Sequence, residues 1–301
     1  MNFKVFAELI ELKAKAASVF PFLMGFLYSW YHYEQVKPFY MLLFFVSMIL
    51  FNMFVDIWDN YMDYHNATEI HDYKEETNII GRENLSLSLI KNMMSFSLIS
   101  SAIIGIYLAS QTSWIILWLG LFSYAMGILY SAGPRPLSSL PVGEITSGVT
   151  MGIVIPLICV YINVYDLVSF NWEFIGGVIM LSLPTALAIS NLMLANNTCD
   201  VEEDILNNRH TLVYYIGKKR AVMLFKILVL SSFIIVTISS IMGIVPITLL
   251  GLWLVFPKIW KNVSTFSKEQ IKTKTFSLAV QNLGIIALVQ VILFSLGLWL
   301  P

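Results

Sequence analysis

Asn52, Asp56, Asp59 and Asp63 follow one another at intervals of four, three and four residues. At about 100° per residue of α-helix they fall on one narrow face. They come directly after the apolar run "MLLFFVSMILF". A second group stands in "NNTCDVEEDILNNRHTL", where Asn196, Asp200, Glu203 and Asp204 again share a face and Asn197 lies at its edge. Crowded carboxylates repel unless a cation sits among them. The donors are all oxygens, which suits Mg²⁺, an ion that keeps water and binds one or two carboxylates together with substrate phosphates. The amides of Asn52, Asn196 and Asn197 add neutral oxygen ligands. Cys159 and Cys199 lie in different segments and no Cys/His cluster suggests zinc. His65 and His71 read as solvated loop histidines.

Phosphates also need positive side chains. Lys13 and Lys15 open the first helix, Arg135 sits in the Pro/Gly-rich "YSAGPRPLSSLP", and Arg209, Lys218 and Lys219 follow the second acidic group. Lys and Arg recognise phosphate well. Lys13 and Arg135 are favoured, since each stands where a loop meets a helix. The plainer account of these cations is the bias of Lys and Arg toward one side of a membrane. The plainer account of the acids is a solvated helix end. Acids at a helix C-terminus oppose its dipole, however, and two groups matched in spacing and depth favour function.

The elements that carry these residues are apolar. Hydrophobic residues make up 57% of the 301 and charged residues only 12%, with mean hydropathy +0.75, against about 25% charged in a soluble domain. The expectation is an all-α, polytopic membrane protein forming one integral-membrane domain over 1–301. A net charge of −1 without a basic stripe excludes a nucleic-acid partner. The N-terminus lacks the pattern of a cleaved signal and reads as retained.

A membrane-crossing helix takes about 20 mostly apolar residues. Nine segments qualify, near 15–33, 39–62, 91–110, 113–131, 142–163, 172–197, 221–240, 243–260 and 276–300. Polar connections at 64–90, 198–220 and 261–275 are too charged for lipid, and the first two are the expected cytoplasmic cap loops. With the N-terminus inside, every Lys and Arg but Lys37 falls on the inner side, Lys74 and Lys91 among them. Both acidic groups then end helices on the cytoplasmic side of a cell membrane, four helices apart. That implies two four-helix halves plus a ninth helix.

At these residues the chain resembles the UbiA-type intramembrane aromatic prenyltransferases. "VDIWDNYMD" matches their N-D-x2-D-x3-D pattern at Asp56, Asp59 and Asp63, with Val55 in the usual Asn position. "DVEED" matches D-x3-D at Asp200 and Asp204. Within the family it looks most like the 1,4-dihydroxy-2-naphthoate polyprenyltransferases of menaquinone synthesis. "NNTCDVEEDILNNRHTLVYYIGKKRA", "YSAGPRPLSSLPVGEI" and "ELKAKAASVFPFLMG" carry that likeness over residues from about 10 to 220. Cys199 stands where Arg is common and Asn208 where Gly is common. "TNIIGREN" resembles the branch's lid segment and puts Arg82 near the rim.

The resemblance implies a UbiA-like bundle and transfer of a polyprenyl group from its diphosphate to dihydroxynaphthoate, with loss of CO₂ to give demethylmenaquinol. Asp56, Asp59, Asp63, Asp200 and Asp204 would be the catalytic metal ligands. Lys13, Arg82, Arg135, Arg209 and Lys218 would meet the diphosphate. The many aromatic and Met side chains could line the path of an allylic cation, although packing explains any one of them as well. Haem or 4-hydroxybenzoate as acceptor is the alternative inside the family. A divalent-cation transporter is the rival from another class, but transporters place their sites near the midplane. A non-catalytic membrane scaffold is the third.

Overall fold

The computed structural model describes residues 1–66 and 77–299. His71 and Lys74 lie outside the described residues. All elements among the described residues are helical. In chain order they are α1 (Phe3–Leu9), α2 (Ala16–Tyr33), α3 (Pro38–Asn66), α4 (Ile79–Arg82), α5 (Leu87–Gln111), α6 (Trp114–Ser131), α7 (Gly143–Val149), α8 (Ile155–Val164), α9 (Trp172–Leu206), α10 (Leu212–Ile216), α11 (Lys218–Ile241), α12 (Phe256–Lys268) and α13 (Phe276–Gly297).

Seven helices among the described residues are long and apolar enough to cross a membrane, and the chain is a multi-pass membrane protein. They include α3, α5, α6, α9, α11 and α13, and the continuous stretch Gly143–Val164 that joins α7 to α8. The expected first span is the 18-residue α2. The expected eighth span is not one α-helix. Ile247–Val255 is a 3₁₀ stretch and α12 continues it. Pro246 and Pro257 explain the break, since neither can donate a backbone hydrogen bond.

The chain divides into two compact units. The first holds Met1–Ala16 and Pro38–Pro136, the second Ala17–Lys37 and Leu137–Pro301. The units therefore do not follow the four-and-four division in chain order, because most of α2 belongs to the second. Its partners there are specific. Cys159 Sγ lies 3.4 Å from the Phe22 carbonyl, and Asn163 Nδ2 donates to Ser29 Oγ at 3.2 Å. A Cβ on Gly25 would lie 2.9 Å from Cys159 Cβ, so only glycine admits this approach.

In the first unit α3 packs on α5 and α6. Ser47 Oγ donates to the Ser101 carbonyl at 2.9 Å, Tyr124 Oη to Ser101 Oγ at 2.6 Å, and the Phe51 ring stacks on Tyr124. Under the Asp-rich end of α3 lies a dry cluster of Val5, Leu9, Phe54, Ile57, Ile80 and Ile90. It fixes α1, α4 and the start of α5 against that end, which is how the face bearing the acids is held still.

The second unit is organised by α9, 35 residues long. Pro184 lies inside it and leaves the Met180 carbonyl without its helical donor; Ser239 Oγ of α11 donates to that oxygen at 3.2 Å. Thr185 Oγ1 donates to Gln290 Oε1 of α13 at 2.6 Å, and Asn191 Nδ2 to the Phe225 carbonyl of α11 at 3.1 Å. Such bonds hold helices together where water offers no competing partner.

Gly148 and Gly152 turn the Gly143–Val164 stretch against α9. A Cβ on Gly152 would lie 2.4 Å from Ala186 Cα, and one on Gly148 would lie 2.0 Å from Ser190 Oγ. The π-helical turn Thr150–Val154 ends two residues before Pro156 and contains Gly152, four residues before it, where the proline ring disturbs the regular hydrogen-bond ladder.

Candidate active site

The first acidic face lies on α3, in the first unit. Asn52, Asp56, Asp59 and Asp63 are all half-buried. Lys15 Nζ forms an ion pair with Asp56 Oδ2 and also donates to the Asn52 carbonyl at 3.0 Å. Ser131 Oγ, at the end of α6, donates to Asp59 Oδ1. This bond draws the start of the "YSAGPRP" segment to the acids. Arg135, four residues further on, is exposed. Beside the acids, Phe54, Trp58 and Tyr61 stack along α3 with neighbouring centroids 6.0 and 6.1 Å apart. Trp58 and Tyr61 pack on the dry cluster, so packing accounts for this row.

Lys15, and not Lys13, is therefore the lysine on this face; Lys13 is exposed. The cause is local. Glu11 adopts the left-handed conformation, at φ 46° and ψ 50°, and ends α1. A 3₁₀ turn, Leu12–Lys15, follows and swings Lys15 inward to 8% exposure. Glycine usually fills such a position, and its absence left no signal in the sequence. Arg82 lies near this end of the unit but is engaged by Glu8 at 2.7 Å and Glu83 at 3.5 Å.

The second acidic group, on α9, splits into two faces. Asn196 and Asp200 are half-buried and share one ammonium, Lys272 Nζ, which donates to Asn196 Oδ1 and Asp200 Oδ2. Glu203 is exposed. Asn197 and Asp204 are buried, and Asp204 stands one helical turn after Asp200. Asn197 Nδ2 donates to Glu144 Oε1 at 2.8 Å. Glu144 follows from the glycine stripe, since Gly152 on Ala186, Gly148 on Ser190 and Glu144 on Asn197 are successive steps of one antiparallel contact.

Asp204 Oδ1 lies 3.2 Å from Arg209 Nε, close in charge but off the line a hydrogen bond needs. The Arg209 guanidinium also reaches the Ser138 carbonyl at 3.4 Å, and the His210 amide donates to the Ser139 carbonyl at 3.0 Å. These bonds tie the "RH" of one motif to the "SS" of the other. Lys218 is paired with Glu202 at 2.8 Å. Sequence reading missed Lys272, Glu144 and Ser131. "GE" within the quoted motif was the one hint for Glu144.

The donor chemistry fits a hard divalent cation. Asn196 turns its oxygen, not its nitrogen, toward Lys272, and Asp56 and Asp200 each already face a positive charge. No three His, Cys, Asp or Glu side chains among the described residues stand close enough to form a cage by themselves. Oxygen donors of this kind would suit a hard divalent cation that takes its remaining ligands from water and phosphate.

Both Asp-rich faces lie toward the C-terminal ends of membrane-crossing helices, the first on α3 and the second on α9. The UbiA prenyltransferase family matches residues 18–283, and the chain belongs to that family. It is 31% identical over 212 residues to the 1,4-dihydroxy-2-naphthoate octaprenyltransferase of Bacillus subtilis. The match takes in 69% of this chain and spans 64% of that relative's length. Solved structures share the fold. They include a digeranylgeranylglyceryl phosphate synthase at 18% identity and TM-score 0.66, over 98% of this chain and 97% of that one. A UbiA homolog from Archaeoglobus fulgidus bound to DMAPP and Mg²⁺ matches at 12% and 0.64, over 98% and 99%. A UbiA homolog from Aeropyrum pernix K1 matches at 12% and 0.69, over 96% and 98%.

Proposed function

We propose that the protein transfers a polyprenyl group from its diphosphate to 1,4-dihydroxy-2-naphthoate, with release of CO₂, as a step of menaquinone synthesis. The observation that carries this reading is the B. subtilis relative, together with family motifs that fall on the two acidic faces. The acids, and with them the N-terminus, lie on the cytoplasmic side, as the one-sided distribution of Lys and Arg favours. One integral-membrane domain, 1–301, carries the activity.

Asp56, Asp59 and Asp63 on α3, and Asp200 and Asp204 on α9, would each offer oxygen ligands to a divalent metal; Asn52 and Asn196 would add neutral ones, and Asn197 would act from the buried side of α9. Bound Mg²⁺ supplies Lewis-acid stabilisation of the departing diphosphate. Lys13 and Arg135 donate to the phosphate oxygens; Lys15, Arg82, Arg209 and Lys218 do so after leaving their carboxylate partners. The apolar helices exclude water from the allylic carbon while its C–O bond breaks. The electron-rich naphthoate ring then bonds to that carbon. Its carboxylate leaves as CO₂ and aromaticity returns.

Membranes containing the chain, given a polyprenyl diphosphate, Mg²⁺ and dihydroxynaphthoate, are expected to form a prenylated naphthoquinol. The Asp56→Ala/Asp200→Ala double variant is expected to form none. Product with 4-hydroxybenzoate or haem but not with the naphthoate would move the acceptor within the family. No product with any acceptor would remove the enzyme reading.

A further inference from the structure

Lys272 lies in the connection before α13 and its side chain is 43% exposed, yet its position is not that of a loose surface lysine. Its Nζ takes two acceptors on one side of α9, Asn196 Oδ1 and Asp200 Oδ2, which stand one helical turn apart. The ring of Phe276 lies 4.8 Å from the same nitrogen. In the first unit Lys15 repeats the arrangement on α3. Its Nζ takes the Asn52 carbonyl and Asp56 Oδ2, again one turn apart. In both units the aspartate that opens the motif, and an oxygen of the residue four before it, converge on one ammonium.

Those aspartate oxygens are the ones assigned above to the metal, and the inference rests on that reading. An ammonium and a divalent cation compete for them, because the two charges repel at contact distance and each draws on the same carboxylate's negative charge. We propose that Lys272 is a built-in competitor for the metal on α9, with Lys15 its counterpart on α3. Each holds its carboxylate face in place and is displaced when a divalent cation arrives with the prenyl diphosphate.

The released Lys272 ammonium then has a phosphate oxygen to meet, and the Phe276 face lies beside its path. Two consequences follow from the exchange. Metal alone binds weakly, because it must evict the lysine without giving it a new partner. Metal and diphosphate bind cooperatively, because the diphosphate receives the evicted ammonium.

The test is metal binding without turnover. Mn²⁺ is titrated into the full-length protein in detergent, without prenyl diphosphate, and followed by electron paramagnetic resonance. Lys272→Met is expected to bind Mn²⁺ more tightly than the unsubstituted protein by on the order of tenfold. Lys272→Arg, which keeps a competing cation, is expected to bind no more tightly. Lys268→Met, an equal charge change on α12, is expected to stay within about twofold, as a solvent-screened charge should. With saturating Mg²⁺, an unreactive prenyl thiodiphosphate is expected to bind Lys272→Met several-fold more weakly.

Asp200→Asn separates the two layers of the argument. If Asp200→Asn weakens Mn²⁺ binding while Lys272→Met leaves it unchanged, the exchange is overturned and the metal assignment stands. If Asp200→Asn binds Mn²⁺ as the unsubstituted protein does, the metal assignment fails and the exchange fails with it.

Discussion

Asn197 donates through its amide nitrogen to Glu144 Oε1 across 2.8 Å, and both side chains are buried. The second carboxyl oxygen, Glu144 Oε2, is buried and makes no hydrogen bond. This one bond orients a motif residue from a helix whose sequence lies 53 positions away. Glu144→Ala strands the Asn197 amide and is expected to cost about 1–3 kcal/mol. Glu144→Gln keeps the acceptor and is expected to stay within about 1 kcal/mol of the unsubstituted protein. Thermal unfolding in detergent reads the difference. Prenyl transfer by the two variants is expected to rank in the same order.

The contact of Gly152 with Ala186 sets a second expectation. No side chain fits there, because even a methyl group would lie 2.4 Å from Ala186 Cα. Gly152→Leu is expected to push the helices apart and destabilise by about 3 kcal/mol or more, beyond the usual range of overpacking. The readout is loss of monodisperse protein on size exclusion. A methyl on Gly176 meets no atom within 4 Å, so Gly176→Ala is expected to behave as the unsubstituted protein.

Asn208 lies in the left-handed region at φ 55°, just past the end of α9. A glycine would adopt this conformation without strain. Asn tolerates the conformation better than most residues do. Asn208→Gly is expected to be neutral or slightly stabilising. Asn208→Val is expected to cost about 1–3 kcal/mol and to loosen the Arg209 contact with Asp204. Melting temperatures of the two variants, measured side by side, decide it.

The turn after α2 carries a pH dependence. Lys37 Nζ donates to Asp166 Oδ2 at 2.6 Å, and this bond, aided by Gln35, holds the Asp166 carboxyl below its ordinary value. A lowered carboxyl pKa stabilises the fold above the unfolded value of about 4 and loses that contribution as pH falls through the folded value. The pair is solvent-exposed, so the effect stays below about 1 kcal/mol. Between pH 6 and pH 3 the melting temperature of the unsubstituted protein is expected to fall slightly further than that of Lys37→Met. Equal slopes would contradict the assignment.

The helices and their acids were legible in the sequence because both signals are local. Intervals of four, three and four place Asp56, Asp59 and Asp63 on one face whatever surrounds them. The partners of those acids were not legible. Lys272 acts on Asp200 from 72 residues away, and Ser131 acts on Asp59 from the same distance. No pattern in either segment announces such a pairing. Lys15 and Lys13 differ by two positions, and a left-handed glutamate that composition does not reveal turns Lys15 to the acids and leaves Lys13 exposed. Asn197 stood at the edge of the helical arc, and the edge proved to be a separate, buried face.

The placement of α2 also sets an order of assembly. Ala17–Lys37 is among the first segments to be synthesised, yet it belongs with Leu137–Pro301. Ser29, Gln35 and Lys37 bond to Asn163, more than 120 residues downstream. While the ribosome makes α3, α5 and α6, which complete the first unit around one another, α2 must wait in the bilayer without these partners. The second unit closes only after Asn163 has been made, so α2 and the later part of the chain reach their final state together.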